Sequence, residues 1–145
     1  MRILVLNGPN LNLLGERDPA IYGPTTLEGL ELQITLEGER LGAEVVCFQS
    51  NHEGTLIDLV HEHRHTCDGL IINPGALTHY SYALHDALEA VSLPTVEVHI
   101  SDISKREEWR RRSVISDAAW KTIMGKGIEG YLIALRELVG HLEAK

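Results

Sequence analysis

The chain has 145 residues and a net charge of -8, with 43% hydrophobic and 23% charged residues. That size supports one hydrophobic core and a single domain over residues 1–145. The acidic balance excludes nucleic acid or an anionic membrane as the general partner, so an anionic ligand must be met by a local arginine cluster.

Met1-Arg2 leads into only four aliphatic residues, short of a signal-peptide core, and no stretch approaches a membrane-spanning length of about 18 apolar residues. A cytoplasmic protein is expected, in which Cys47 and Cys67 are reduced thiols. The first strand is Ile3–Leu6. It runs into Asn-Gly-Pro-Asn-Leu-Asn and then a glycine- and proline-rich stretch ending at Gly23. A loop of about seventeen residues exceeds the usual connection of about 4–6 and points to a binding loop or lid, here over about residues 12–24.

A helix follows, with capping-box spacing at Thr25 and Glu28 and Leu27, Leu30, Ile34 and Leu41 on one face. Val45–Gln49 is the second strand. Ser50 and Glu53 repeat the cap spacing ahead of Leu56, Leu59 and Val60. Leu70–Asn73 is the third strand, and a helix through Leu84, Ala87, Leu88 and Val91 stops before Pro94. Val96–His99 and a weaker run near Thr122–Met124 complete the strands, and a last helix spans about Gly127 to Leu142. Continuously apolar strands alternating with helices define an α/β protein with a doubly wound, five-stranded parallel sheet in the flavodoxin-like order, helices on both faces.

Such sheets bind ligands beyond the carboxyl ends of their strands. The residues there are Asn7, Asn10, Asn12, Arg17 and Tyr22, then Ser50, Asn51 and His52, then Asn73 and His79, and finally His99, Ser101, Arg106 and Arg110. Amides, histidines and arginines in this number describe a small-molecule anion site with acid–base capacity.

Other motifs carry less. His61-Glu62-His63-Arg64-His65 matches the metalloprotease pattern but falls in the last turn of a helix, opposite the proposed site, so no metal site is expected there. Gly125 to Gly130 matches the dinucleotide fingerprint, yet only one helix follows it; a glycine-rich turn is the expectation. Trp109 and Trp120 are expected to pack in the core, and Arg110-Arg111-Arg112 could be a solvated face.

Free tyrosine loses its proton only near pH 10 and is a poor base at neutrality. A guanidinium beside it stabilises the phenolate, and Arg17 precedes Tyr22 by five residues in a flexible loop. A tyrosinate of this kind could remove a proton α to a carbonyl, Asn12 could bond the enolate, and His99 could protonate a leaving hydroxyl. Glu97, on the same strand face as His99, could orient the imidazole. No lysine lies at a strand end, which disfavours a Schiff base.

Asn7-Gly8-Pro9-Asn10-Leu11-Asn12, Gly15-Glu16-Arg17, Ile21-Tyr22-Gly23, Phe48-Gln49-Ser50-Asn51-His52-Glu53-Gly54, Asn73-Pro74-Gly75-Ala76, Thr78-His79 and Glu97-Val98-His99-Ile100-Ser101 together resemble type II 3-dehydroquinate dehydratase, in order and over essentially the whole chain. The resemblance implies a cofactor-free hydro-lyase that converts 3-dehydroquinate to 3-dehydroshikimate, in the shikimate route to aromatic amino acids or in quinate catabolism. It also implies a homododecamer built from trimers. It makes Tyr22 the base and His99 the acid, with Arg17 on the lid and Asn12 near the enolate. Asn73, His79, Asp86, Ile100, Ser101 and Arg110 match substrate-contacting positions, Asp86 near a subunit contact. His85 departs from the arginine frequent beside that aspartate; Leu77, Tyr80, Thr55 and Trp120-Lys121 also depart from the common pattern. The rival readings are a flavin- or nucleotide-binding module on the same fold, and a non-catalytic assembly protein.

Overall fold

A computed structural model describes all residues from Met1 to Lys145. Five strands form one sheet: β1 (Arg2–Asn7), β2 (Glu44–Gln49), β3 (Gly69–Asn73), β4 (Thr95–His99) and β5 (Lys121–Met124). All pairs are parallel and the order is β2-β1-β3-β4-β5. The expected doubly wound architecture is therefore the observed one. The helices are a short α1 (Pro19–Tyr22), α2 (Leu27–Leu41), α3 (Glu53–His63), α4 (Tyr82–Val91) and α5 (Glu129–Glu143).

Side-chain alternation along the strands divides the core in two. Ile3, Val5, Ile71, Val96 and Val98 face α2 and α5, meeting Leu30, Ile34, Leu135 and Leu138. Leu4, Leu6, Leu70 and Ile72 face α3 and α4, meeting Leu56, Val60, Leu84 and Leu88. Complete burial of a Leu or Ile is worth about 1.5–3 kcal/mol, so these two layers supply the drive for folding.

Several local expectations shift. Thr26, not Thr25, caps α2 by accepting from Gly29 N. The Ser50–Glu53 capping box does not form: His52 occupies the cap position, Ser50 Oγ accepts from His52 N, and Glu53 is taken by the Ser81 hydroxyl. A long-range partner outcompetes the local one here. β2 lies at the sheet edge and stays half-buried, so its apolar run does not mark a strand covered on both faces. Trp109 and Trp120 are 57% and 44% exposed, which corrects the core assignment. Trp109 carries the Arg110 guanidinium 3.9 Å above its ring, and Trp120 stacks on His141 at 4.0 Å.

At the carboxyl end of the sheet, the turns after β1 and β3 pack back to back. Gly8 N donates to Asn73 O at 2.8 Å, and a Cβ on Gly8 would fall 2.5 Å from Pro74 O. Gly75 has φ +61, and its Cβ would fall 2.9 Å from Pro9 O. Only glycine permits the first approach, and only glycine adopts the second conformation without strain. This contact sets the floor of a cleft.

Candidate active site

The loop after β1 is more structured than its composition suggests. Leu11–Leu13 form a 3-10 turn, and Asp18 caps α1 by accepting from Ala20 N, with Pro19 in the first helical position. Gln49 Nε2 donates to Gly8 O at 3.1 Å, and Asn51 Oδ1 accepts from Asn10 N at 2.9 Å, tying the base of the loop to the end of β2. Arg17 and Tyr22 are thereby carried over the carboxyl ends of β3 and β4.

The phenol oxygen of Tyr22 lies between two cations. Arg17 Nη2 donates to it at 2.8 Å and Arg106 Nη1 at 2.9 Å. The Arg17 guanidinium also sits 3.8 Å from the ring centroid. Arg106 had no assigned role beyond its place after β4. The Ile103–Lys105 turn swings it back towards the loop, and nothing in the local sequence pattern shows this.

Arg17, Tyr22, Asn73, His79, His99, Ile100, Ser101 and Arg110 line one cleft with Arg106 and Asn10. The cleft volume is about 110 Å³. Drug-sized ligands occupy pockets of about 300–1,000 Å³, so the space suits a single small ring and not a flavin or nucleotide. Three arginines and two histidines face it and no carboxylate lines it, although the chain is acidic. That is a local cationic field for an anion.

Asn7, Ser50, Asn51 and His52 do not line the cleft, and two of the residues matched by the resemblance also lie elsewhere. Asn12 is exposed and turned to Gln49, whose Nε2 donates to its Oδ1 at 3.4 Å. Asp86 is on the exposed side of α4, with His85 and Glu89. His85 bonds Val114 O at 2.6 Å through Nδ1 and Glu89 at 2.9 Å through Nε2.

His99 is 5% exposed and its Nε2 stands 2.5 Å from Oε2 of Glu97, which is fully buried. The carboxylate can only accept, so Nε2 carries the proton and Nδ1 is the nitrogen left for a ligand. Burial alone would raise the Glu97 carboxyl. Bonds from His99, Thr78 and Ser113 outweigh it and hold the group well below the ordinary carboxylate range.

Asn73 is equally fixed. Its Oδ1 accepts from Gly75 N at 3.1 Å and its Nδ2 donates to Tyr131 Oη at 2.9 Å; Tyr131 in turn donates to Asn7 Oδ1 at 2.5 Å. One N–H of the Asn73 amide remains for the cleft. Burial pushes the Tyr131 phenol up, so it stays neutral and acts purely as a bridge. His79 has Nδ1 on Arg112 O at 2.7 Å and its ring edge against Trp109.

His61 and His65 are exposed, the latter beyond the end of α3, while His63 packs on Phe48 and bonds Leu59 O. The metalloprotease spacing therefore does not fall on one continuous helix. Gly125 and Gly127, both at positive φ, form a turn whose N–H groups bond Ser101 O and Ile100 O, fastening β5 to the end of β4.

A flavodoxin-like sheet with a cationic cleft of acid–base residues at its carboxyl end is the architecture of an α/β small-molecule enzyme, with donors suited to an anion. The family model for dehydroquinase class II matches residues 1–139. A 3-dehydroquinate dehydratase of Bacillus pumilus is 54% identical over 136 residues, 94% of this chain and 92% of that one. The same-named protein of Thermotoga maritima is 54% identical over 143 residues, 99% and 98% of the two chains. The crystal structure of a type II dehydroquinase from Butyrivibrio crossotus superposes with a TM-score of 0.93 at 48% identity, covering 95% of this chain and 97% of that one. The chain belongs to the class II dehydroquinase family.

Proposed function

We propose that the chain catalyses the dehydration of 3-dehydroquinate to 3-dehydroshikimate, as a hydro-lyase, with Tyr22 as base and His99 as acid. The observation that carries the mechanism is the Tyr22 phenol oxygen held by Arg17 and Arg106 in the same cleft as the Glu97–His99 pair. Two guanidinium donors stabilise the phenolate, which takes the proton α to the ring ketone. The electron pair moves into an enolate. Its collapse expels the β-hydroxyl, whose oxygen takes a proton from His99 and leaves as water. Glu97 balances the imidazolium before that step.

Arg110, His79 and Ser101 supply donors for the carboxylate and hydroxyls, and the free Asn73 N–H fixes the ring. Residues 12–24 act as the lid that carries Arg17 and Tyr22. Asn12 reaches the enolate oxygen only if the Leu11–Leu13 turn shifts, since its side chain lies outside the cleft. Asp86 acts from an assembled neighbour in a homo-oligomer, consistent with its exposed place on α4.

The test is direct assay with 3-dehydroquinate, following the ultraviolet absorbance of the conjugated enone product. Turnover by the parent and its loss in Tyr22→Phe and His99→Ala are expected. An inactive, folded parent overturns the substrate assignment. Purified protein with a flavin spectrum would restore the rival reading.

A further inference from the structure

Glu97 is buried to 0% exposure in the β4 interior, yet it carries a charge and faces no lysine or arginine. Its only ionic partner is His99. An isolated carboxylate in so dry a place would be costly, and a single imidazole partner would hand it the Nε2 proton, leaving two neutral groups. What surrounds Glu97 is a set of hydroxyls. Thr78 Oγ1 at 2.6 Å and Ser113 Oγ at 2.7 Å donate to Oε2, which also accepts from His99. Ser116 Oγ at 2.8 Å and Thr122 Oγ1 at 3.3 Å donate to Oε1.

These hydroxyls come from three separate parts of the chain, and their orientation is constrained. Ser113 Oγ already accepts from Ile115 N and Ser116 N, both at 3.1 Å, so its own proton points away from them, towards the carboxylate. Val114 N donates to Thr78 O at 2.7 Å, which locks the Ser113–Ser116 segment to the turn before α4. Thr122 arrives from β5, in register with Glu97 itself.

We propose that Thr78, Ser113, Ser116 and Thr122 are positioning residues for the reaction: a hydroxyl cage that keeps Glu97 anionic and aims its Oε2 at His99, so that the imidazole holds the proton it must deliver. This deepens the dehydratase reading above and rests on it. Four neutral donors suit this task better than a cation. They stabilise the carboxylate without competing with the imidazolium for its charge. They also fix the rotation of the carboxylate, and with it the plane of the His99 ring.

The test uses full-length Ser116→Ala, Ser116→Thr, Thr78→Val and His99→Ala proteins and the Ser116→Ala/His99→Ala double variant, assayed with 3-dehydroquinate and by thermal melting. A hydrogen bond to a charged group is worth roughly ten-fold or more, so Ser116→Ala should lower kcat about ten-fold with KM within about two-fold. Thr78→Val, which removes a donor to the other oxygen, should do the same. Ser116→Thr, which keeps the hydroxyl, should restore kcat. In the His99→Ala background Ser116→Ala should cost nothing further, because the cage acts only through the imidazole.

Unchanged kcat in folded Ser116→Ala and Thr78→Val, with only the melting temperature lowered, overturns the cage. An equal loss with and without His99 does so too. An inactive parent overturns the dehydratase reading instead, so the two failures are distinguishable.

Discussion

Removing Arg106 tests how Tyr22 becomes a base. Its Nη1 lies 2.9 Å from the phenol oxygen and Arg17 Nη2 lies 2.8 Å from it, so the two guanidiniums share the charge that forms there. A hydrogen bond to a charged group contributes about 1.5–3 kcal/mol, and the half-exposed setting of Tyr22 favours the lower end. About 1.5–2 kcal/mol on the barrier is roughly a 10- to 30-fold loss of kcat for Arg106→Ala, and a similar loss for Arg17→Ala. Together they should approach roughly 10²–10³-fold, the lower part of what general-base catalysis supplies and what Tyr22→Phe should remove alone. In the Tyr22→Phe background neither arginine substitution should matter further, because the three residues form one unit. Initial rates with 3-dehydroquinate across a pH series, for the single variants and both doubles with Tyr22→Phe, decide the matter. If Arg106→Ala stays within two-fold of the parent kcat, or if the losses multiply in the Tyr22→Phe background, the paired-cation account is wrong.

Tyr131→Phe strands Asn7 Oδ1 and one N–H of Asn73 in a fully buried place. A destabilisation of about 1–3 kcal/mol is expected in chemical denaturation, and no change would show that water replaces the hydroxyl. The Val114 carbonyl, opposed by burial and helped by Glu89, raises His85 above its ordinary value. Its contribution to stability is therefore complete below the unfolded value of about 6.5 and is lost as pH rises through the folded one. The melting-temperature gap between the parent and His85→Ala should narrow from about pH 6 to about pH 9; a widening gap would reverse the sign of the argument. Exhaustive chelation should leave turnover intact, because α3 ends at His63 and His65 lies outside the helical turn that the two-histidine motif needs; a loss restored by zinc would refute this.

Most of the architecture was legible because its signals are local. Short runs of three to five residues between helical periodicities gave the five strands, and β1, β3 and β4 fall within a residue or two of their expected bounds. Of the first two cap assignments, one failed locally, Thr26 taking the cap one position after Thr25, and the other for a non-local reason, the hydroxyl of Ser81 from another element claiming Glu53. The tryptophans misled because ring size predicts burial only when the surrounding elements close over the ring. At Trp109 and Trp120 they do not, and cationic or histidine partners cover the faces instead.

The sequence by itself determined the sheet and placed Arg17, Tyr22, Asn73 and His99 at its carboxyl end, where one cleft gathers them. Periodicity and chain order suffice for those, since parallel strands in this order bring all their carboxyl ends to one edge. Tertiary structure decided how the residues act on one another. Arg106 meets Tyr22 across 84 positions, Tyr131 meets Asn7 across 124, and four hydroxyls from three segments enclose Glu97. Hydrogen bonds and charge stabilisation depend on distances of about 3 Å. Those distances are set only when the helices pack onto the sheet and fold separate stretches of chain onto the same carboxylate and the same phenol.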